Sequence, residues 1–316
     1  MTQTIAQLGE QGLLKLVQSF CPTEIVGDDA AVLATQPGAS IVVTTDVLVD
    51  SVHFSDQTTP PHSAGWRAIA ANLSDLAAMG AMPTGITVGL GLPPDTPVPW
   101  VESLYQGMSD CLSQFGGAIV GGDVVRSPVR TIAITAFGQV SPANVIQRSA
   151  AKVGDVILVT GPHGLSRAGL ECLLKADTTL PDAGTWRKAH QYPQPRFDVS
   201  GQCRNFRVAG MDSSDGFADA VLQICRSSQV GATITHLPIP VTLLNHPQAT
   251  DWTLYGGEDF ELVLCLAPGQ AQQLLTQFPG AMIVGQIIAG SQVQVATPNA
   301  AVITLSLDAG FRHFAS

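Results

Sequence analysis

Apolar positions along this 316-residue chain change period several times, and the changes predict alternating helices and strands. Over residues 5–20, Ile5, Leu8, Leu13, Leu16, Val17 and Phe20 fit one face of an amphipathic helix. Ile41-Val42-Val43-Thr44-Thr45-Asp46 is β-branched and predicts a strand that ends at an acid. Helical spacing returns over 62–79 and strand patterning over 84–92. A further helix runs from Pro97 to Phe115, opened by prolines and closed by Gly116-Gly117. Strands near 118–121 and 130–140 complete a first half.

Ser149-Ala150-Ala151-Lys152-Val153-Gly154-Asp155 is small and polar and predicts a junction, giving domains 1–148 and 149–316. Val156 to Thr160 reads as a strand that runs through Gly161-Pro162-His163-Gly164 into a helix from about Leu165. The Pro-, Asp- and aromatic-rich stretch 177–198 predicts a long loop with a short helix. Beyond it the pattern gives a helix near 215–227, strands near 231–236 and 259–267, and a helix near 269–278. Strands near 282–288 and 293–297 follow. The fold class is therefore α/β of the α+β type, in two α/β domains.

Composition narrows the function. Charged residues make up 13% of the chain, net charge is −10, and the lysines are Lys15, Lys152, Lys175 and Lys188 alone. Such a surface argues against nucleic acid or an anionic membrane as partner. A hydrophobic content of 45% and mean hydropathy of +0.25 suit a folded enzyme. The six cysteines have no CxxC spacing and read as reduced core thiols. Residues 1–10 lack the pattern of a signal peptide, and no apolar run reaches the ~18 residues of a membrane span. The expectation is a cytoplasmic protein.

Against that sparse background, acids recur in short strings of Gly, Ser, Thr and Asn. These are Gly27-Asp28-Asp29, Thr44-Thr45-Asp46, Asn72-Leu73-Ser74-Asp75, Gly121-Gly122-Asp123, Asp212-Ser213-Ser214-Asp215 and Gly256-Gly257-Glu258-Asp259. Uncrowded carboxylates and hydroxyls are the ligands that hard divalent cations, above all Mg²⁺, select. An acidic chain can take a polyphosphate only if cations bridge the two, so metal and phosphate imply each other. Each string also has an ordinary reading. Asp46 suits a strand-end turn, with Thr44 on its face and Thr45 pointing the other way unless the strand is ending. Asp212, Ser213, Ser214 and Asp215 precede a helix and suit N-capping. Asp75 lies off the apolar stripe of its helix, among Ala68, Ala71, Asn72, Ala78 and Met79, which suits a packed or cleft-lining face better than a solvated one. Gly161-x-x-Gly164 before a helix suits either a phosphate cradle or a plain turn. His53 has no histidine neighbour, which argues against a zinc site and leaves it as a substrate contact or a loop residue. No GxxxxGK[ST], GxGxxG, DxDxDG or GxSxG string occurs.

With these strings in this order, the chain resembles the thiamine-monophosphate kinase family, part of a superfamily with aminoimidazole ribonucleotide synthetase and selenophosphate synthetase. The similarity runs from Gly27-Asp28-Asp29-Ala30-Ala31 to Gly310-Phe311-Arg312-His313-Phe314, and its most specific part is Asn72-Leu73-Ser74-Asp75-Leu76-Ala77-Ala78-Met79-Gly80-Ala81. The resemblance implies ATP as co-substrate, thiamine monophosphate as acceptor, and several Mg²⁺ ions. Metal ligands would then be Asp29, Thr44, Thr45, Asp46, Asp75, Asp123, Asp212 and Asp215. Tyr105, Gly122, Asp123, Arg148 and Ser214 would contact ATP, and His53, Glu258 and Phe311 the thiamine phosphate. No residue is required as a general base. The family fold further implies a homodimer in which the first domains pair into a β-barrel. The alternatives are a synthetase of the same superfamily that activates an amide or formyl oxygen, or a non-catalytic nucleotide or metal sensor.

Overall fold

Two separate hydrogen-bonded sheets organise the chain in a computed structural model that describes residues 2–23, 25, 30–176, 180–296 and 302–306. They belong to two units. One comprises Met1–Leu76 with Ala81–Pro142, the other Ala77–Gly80 with Ala143–Ser316.

The first unit contains α1 (Ile5–Leu8), α2 (Glu10–Gln18), β1 (Ser40–Val49), α3 (Pro61–Ala78), β2 (Met82–Leu92), α4 (Val98–Phe115), β3 (Ile119–Arg126) and β4 (Thr131–Val140). The helix expected over 5–20 is broken at Gly9, whose φ of 76° closes α1 and opens α2. The strands lie in the order β1-β4-β2-β3, with β2 and β3 parallel and the other pairs antiparallel. One face of the sheet is apolar: Ile132, Ile134 and Ala136 of β4 and Ile86, Val88 and Leu90 of β2 are buried. Asn72 and Asp75 of α3 reach β1 on that side. The opposite face of β1 leaves Ile41, Val43 and Val47 61%, 54% and 47% exposed. A single chain therefore forms an open four-stranded sheet and not a closed barrel.

In the second unit β5 (Val156–Val159), α5 (Leu165–Leu174), α6 (Ala183–Gln191), α7 (Phe197–Ser200), β6 (Val208–Asp212), α8 (Phe217–Ser228) and β7 (Gly231–Ile234) come first. Then follow α9 (Ala249–Tyr255), β8 (Leu262–Leu266), α10 (Pro268–Gln277), β9 (Met282–Ile288), β10 (Val293–Ala296) and β11 (Val302–Thr304). Strand order is β11-β10-β7-β9-β5-β8-β6. The unbroken apolar run of β8 follows from burial on both faces. Val263 and Cys265 pack with Phe217, Val221 and Ile224 of α8, while Leu262, Leu264 and Leu266 pack with Ala271 and Leu274 of α10. The stretch anticipated as a long loop with a short helix holds α6, whose Trp186 and His190 are buried, and runs into the start of α7. None of the six cysteines forms a disulfide. No helix among the described residues is long and apolar enough to cross a membrane.

Helices α3 and α4 touch through glycine. A Cβ at Gly65 would collide with the Leu104 carbonyl, and one at Gly107 with the His62 carbonyl. Gly107→Ala is expected to destabilise the protein by about 1–3 kcal/mol through overpacking. Chemical denaturation measures this, and an unchanged midpoint would refute the close approach.

Candidate functional site

Strand β1 and helix α3 bring three of the anticipated metal ligands together. Thr44 Oγ1 donates to Asp75 Oδ2 at 2.5 Å, and the Asp46 N–H donates to Asn72 Oδ1 at 3.2 Å. Thr44 and Asp46 face α3, whereas Thr45 points to the exposed side and meets Thr135 Oγ1 at 2.9 Å. Asp75 is half-buried rather than solvated, as its uncharged neighbours on α3 imply. Asp46 is likewise more than a turn former, because β1 continues three residues past it to Val49.

A cavity of about 580 Å³ lies within the same unit, lined by Tyr105, Thr87, Gly121, Gly122, Asp123 and Phe137, with Leu14, Val17 and Cys21 also on its wall. Gly122 is required there: with φ 156° it passes so close to β2 that a Cβ would strike the Val88 backbone. Asp123 is exposed, and its Oδ1 accepts the Val124 N–H at 2.9 Å. Tyr105 is 3% exposed and packs 5.5 Å from the Phe20 ring. Burial, and after it the nearby Cys21, hold its hydroxyl pKa well above the usual phenol range, so it stays neutral.

His53 lies in the turn after β1. Its Nδ1 accepts the Val49 N–H at 3.1 Å, so in the neutral ring the proton sits on Nε2. The turn is held by a cluster that sequence reasoning did not find. Arg130 Nη1 bonds both oxygens of Asp56 at 2.9 and 3.0 Å, approaches Asp50 at 3.6 Å and lies 4.6 Å above the Trp100 ring.

In the second unit the string 212–215 ends β6 and leads into α8. It is not a helix cap: the N-cap of α8 is Gly216, which has no side chain to serve. Ser214 Oγ instead donates to Asp212 Oδ1 at 3.4 Å, and the fully buried Ser213 Oγ has no hydrogen-bond partner among the described residues. The Ser214 carbonyl accepts the Glu258 N–H at 2.7 Å, which joins two strings distant in sequence. Glu258 and Phe260 hold positive φ angles of 57° and 53°, uncommon for side-chain-bearing residues and typical of functional loops. The Glu258 carboxylate lies 3.8 Å from Nδ1 of the buried His190.

The phosphate cradle considered at Gly161-x-x-Gly164 is filled by the chain itself. Asp259 Oδ2 accepts the Gly164 N–H at 2.6 Å and Oδ1 accepts the Ser166 N–H at 2.9 Å, so a protein carboxylate occupies the N-terminus of α5. Burial pushes the Asp259 pKa up to about 7, the two N–H donors pull it back, and Glu261 and Glu258 raise it further. Glu261 is held by Arg196 at 2.6 Å and by the Thr160 hydroxyl. No local signal could have paired Asp259 with a turn so remote in sequence. Asp29 and Phe311 lie outside the described residues. Among the described residues, no three His, Cys, Asp or Glu side chains already converge as a metal site.

Residues 27–140 match the model of the AIR synthase related protein N-terminal domain, and residues 152–297 that of the AIR synthase related protein C-terminal domain. The class is thus the two-domain AIR synthase related proteins. A thiamine-monophosphate kinase of Synechococcus elongatus is 52% identical over 322 residues, covering 99% of this chain and 98% of the relative. The crystal structure of thiamine-monophosphate kinase from Stenotrophomonas maltophilia superposes with a TM-score of 0.79 at 34% identity, over 85% of this chain and 89% of that one. AaThiL complexed with AMPPCP and TMP gives 0.76 at 29%, over 93% and 96%. The chain belongs to the thiamine-monophosphate kinase family.

Asp259 offers a test by pH. A carboxyl raised from 3.8 to about 7 keeps a proton in the folded state that the unfolded chain has already released. Its contribution to stability is therefore present at low pH and lost as pH rises through that window. Asp259→Asn is expected to flatten the fall in melting temperature between about pH 4 and about pH 7. An identical slope in both proteins would contradict the assignment.

Proposed function

We propose that this protein transfers the γ-phosphoryl group of ATP to thiamine monophosphate, giving thiamine diphosphate and ADP. The full-length 52% identity to a thiamine-monophosphate kinase carries this reading. The acceptor is itself a phosphate, whose second pKa near ~6 leaves it largely anionic at neutral pH. No side chain needs to act as general base, and catalysis rests on alignment and charge neutralisation.

The residues present fit Mg²⁺. Thr44, Asp46, Asp75 and Asp123 in the first unit, and Asp212 and Asp215 in the second, are oxygen donors with small neighbours, and Thr45 adds its carbonyl. The partnerless hydroxyl of buried Ser213 beside Asp212 supports a polar occupant there. Asp29 would complete the set. Mg²⁺ held by these groups would offset the charge of the phosphates. Tyr105, Gly122 and Asp123 line a cavity able to take a nucleotide, and Arg148 and Ser214 would hold its phosphates. His53, fixed with its proton on Nε2, would donate to the thiamine phosphate, Glu258 would face the thiamine moiety, and Phe311 would stack on it.

Residues 1–148 then form the nucleotide, metal and dimerisation domain, and 149–316 the domain that completes the site. The exposed Ile41, Val43 and Val47 on β1 support pairing of two copies through this sheet into a barrel. A cytoplasmic enzyme with no nucleic-acid or membrane partner accords with the acidic composition.

Incubation with ATP, Mg²⁺ and thiamine monophosphate, followed by mass spectrometry, is expected to yield thiamine diphosphate and ADP in equal amounts; ADP formed only with another acceptor would overturn the substrate. Asp46→Asn and Asp75→Asn should each slow turnover by about 10²–10³, on the scale of a lost electrostatic contact. Near-normal turnover in both at limiting Mg²⁺ would remove them from the site.

A further inference from the structure

Arg148 is fastened to helix α8 at two levels. At the level of the backbone, Ser228 Oγ donates to the Arg148 carbonyl at 2.7 Å and accepts the Ala151 N–H at 3.1 Å. Arg207 Nη1 donates to the neighbouring Ala150 carbonyl at 2.9 Å and holds the same turn. At the level of the side chain, Arg148 Nη1 donates to Gln223 Oε1 at 2.5 Å, and Gln223 Nε2 donates to Asp219 Oδ2 at 2.5 Å. Asp219 sits in the first turn of α8, where a carboxylate suits the helix dipole, and Gln223 lies one turn later.

The order cation, amide, carboxylate admits only one orientation of the Gln223 side chain, with its oxygen toward Arg148 and its nitrogen toward Asp219. The amide also acts as a spacer. A carboxylate bonded directly to Arg148 would pair with its charge and compete with a phosphate, whereas an amide oxygen fixes the guanidinium and leaves it cationic. Helix α8 begins at Phe217, three residues past Ser214, so the element that tethers Arg148 starts beside the string that carries Ser214.

We propose that Gln223, oriented by Asp219, is a positioning residue that aims the Arg148 guanidinium at the nucleotide phosphates and keeps it available to them. This rests on the reading of Arg148 as a nucleotide contact given above.

The test compares Gln223→Met, Gln223→Glu, Arg148→Met and the double variant Gln223→Met/Arg148→Met in the full-length protein, with melting temperatures measured for each. Gln223→Met removes the tether and Gln223→Glu replaces the spacer with a competing charge. Both are expected to raise KM for ATP by roughly tenfold, about the worth of one hydrogen bond to a charged group, with KM for thiamine monophosphate unchanged. The double variant should be no worse than Arg148→Met. Equal shifts in both KM values, or effects of Gln223→Met and Arg148→Met that add fully, would indicate general damage and overturn the proposal. If Arg148→Met raises KM for ATP while folded Gln223 variants do not, the positioning role fails and the nucleotide reading stands. If Arg148→Met leaves KM for ATP unchanged, the nucleotide reading of Arg148 fails, and the positioning role with it.

Discussion

Like-charge repulsion is the constraint on which this architecture turns. A chain of net charge −10 has to hold two phosphate-bearing substrates together, and two unit charges 4 Å apart cost about 4 kcal/mol at an effective dielectric constant near 20. Lysine and arginine are too few to offset that across the molecule, and in the proposed reading the acids themselves would bind the bridging cations. Their local partners suit this. Asp75 accepts a hydrogen bond from the Thr44 hydroxyl, Asp212 one from the Ser214 hydroxyl, and Asp123 one from the Val124 N–H. Such contacts orient a carboxylate. Other acids serve the scaffold instead. Asp56 with Arg130, Asp155 with Arg207 and Glu261 with Arg196 are joined in ion pairs that hold loops and strands in place.

The scaffold separates these two uses of charge. In the first unit, period-two alternation along β1 presents Thr44 and Asp46 to α3 and leaves an apolar stripe on the other side. In the second, β6 delivers Asp212 at its end, α8 leaves from the same string, and the loop through Glu258 is pinned to Ser214 by one backbone hydrogen bond. Asp259 pins that loop from behind, its carboxyl accepting the Gly164 and Ser166 N–H groups at the N-terminus of α5. The positive φ angles of Glu258 and Phe260 flank this contact on either side of Asp259.

Much of this was legible in the sequence, for identifiable reasons. Long periodic segments placed α4, β1 and β4 to within a few residues, because one face of each is more buried than the other, and α3, which is buried nearly all round, was legible from its length and helical spacing. The acid strings stood out because charge is scarce elsewhere, and the structure gathers Thr44, Asp46 and Asp75 as the strand and helix periods imply. Short elements were missed: β6 and α9 are five and seven residues long, and their form depends on packing partners remote in sequence. The break at Gly9 was hidden by an apolar pattern that continues across it. The partners of Asp259, Arg130 and Arg148 lie about 70 to 100 residues away or more, and no local rule joins such positions.

The central claim is that nucleotide binding to these carboxylates requires a bridging cation. Titration calorimetry of the full-length protein with AMPPCP, in Mg²⁺ and again in excess chelator, tests it most directly. The account predicts clear binding heat with Mg²⁺ and at least a hundredfold weaker affinity without it, a difference of about 2.7 kcal/mol. Equal affinity under both conditions would contradict it.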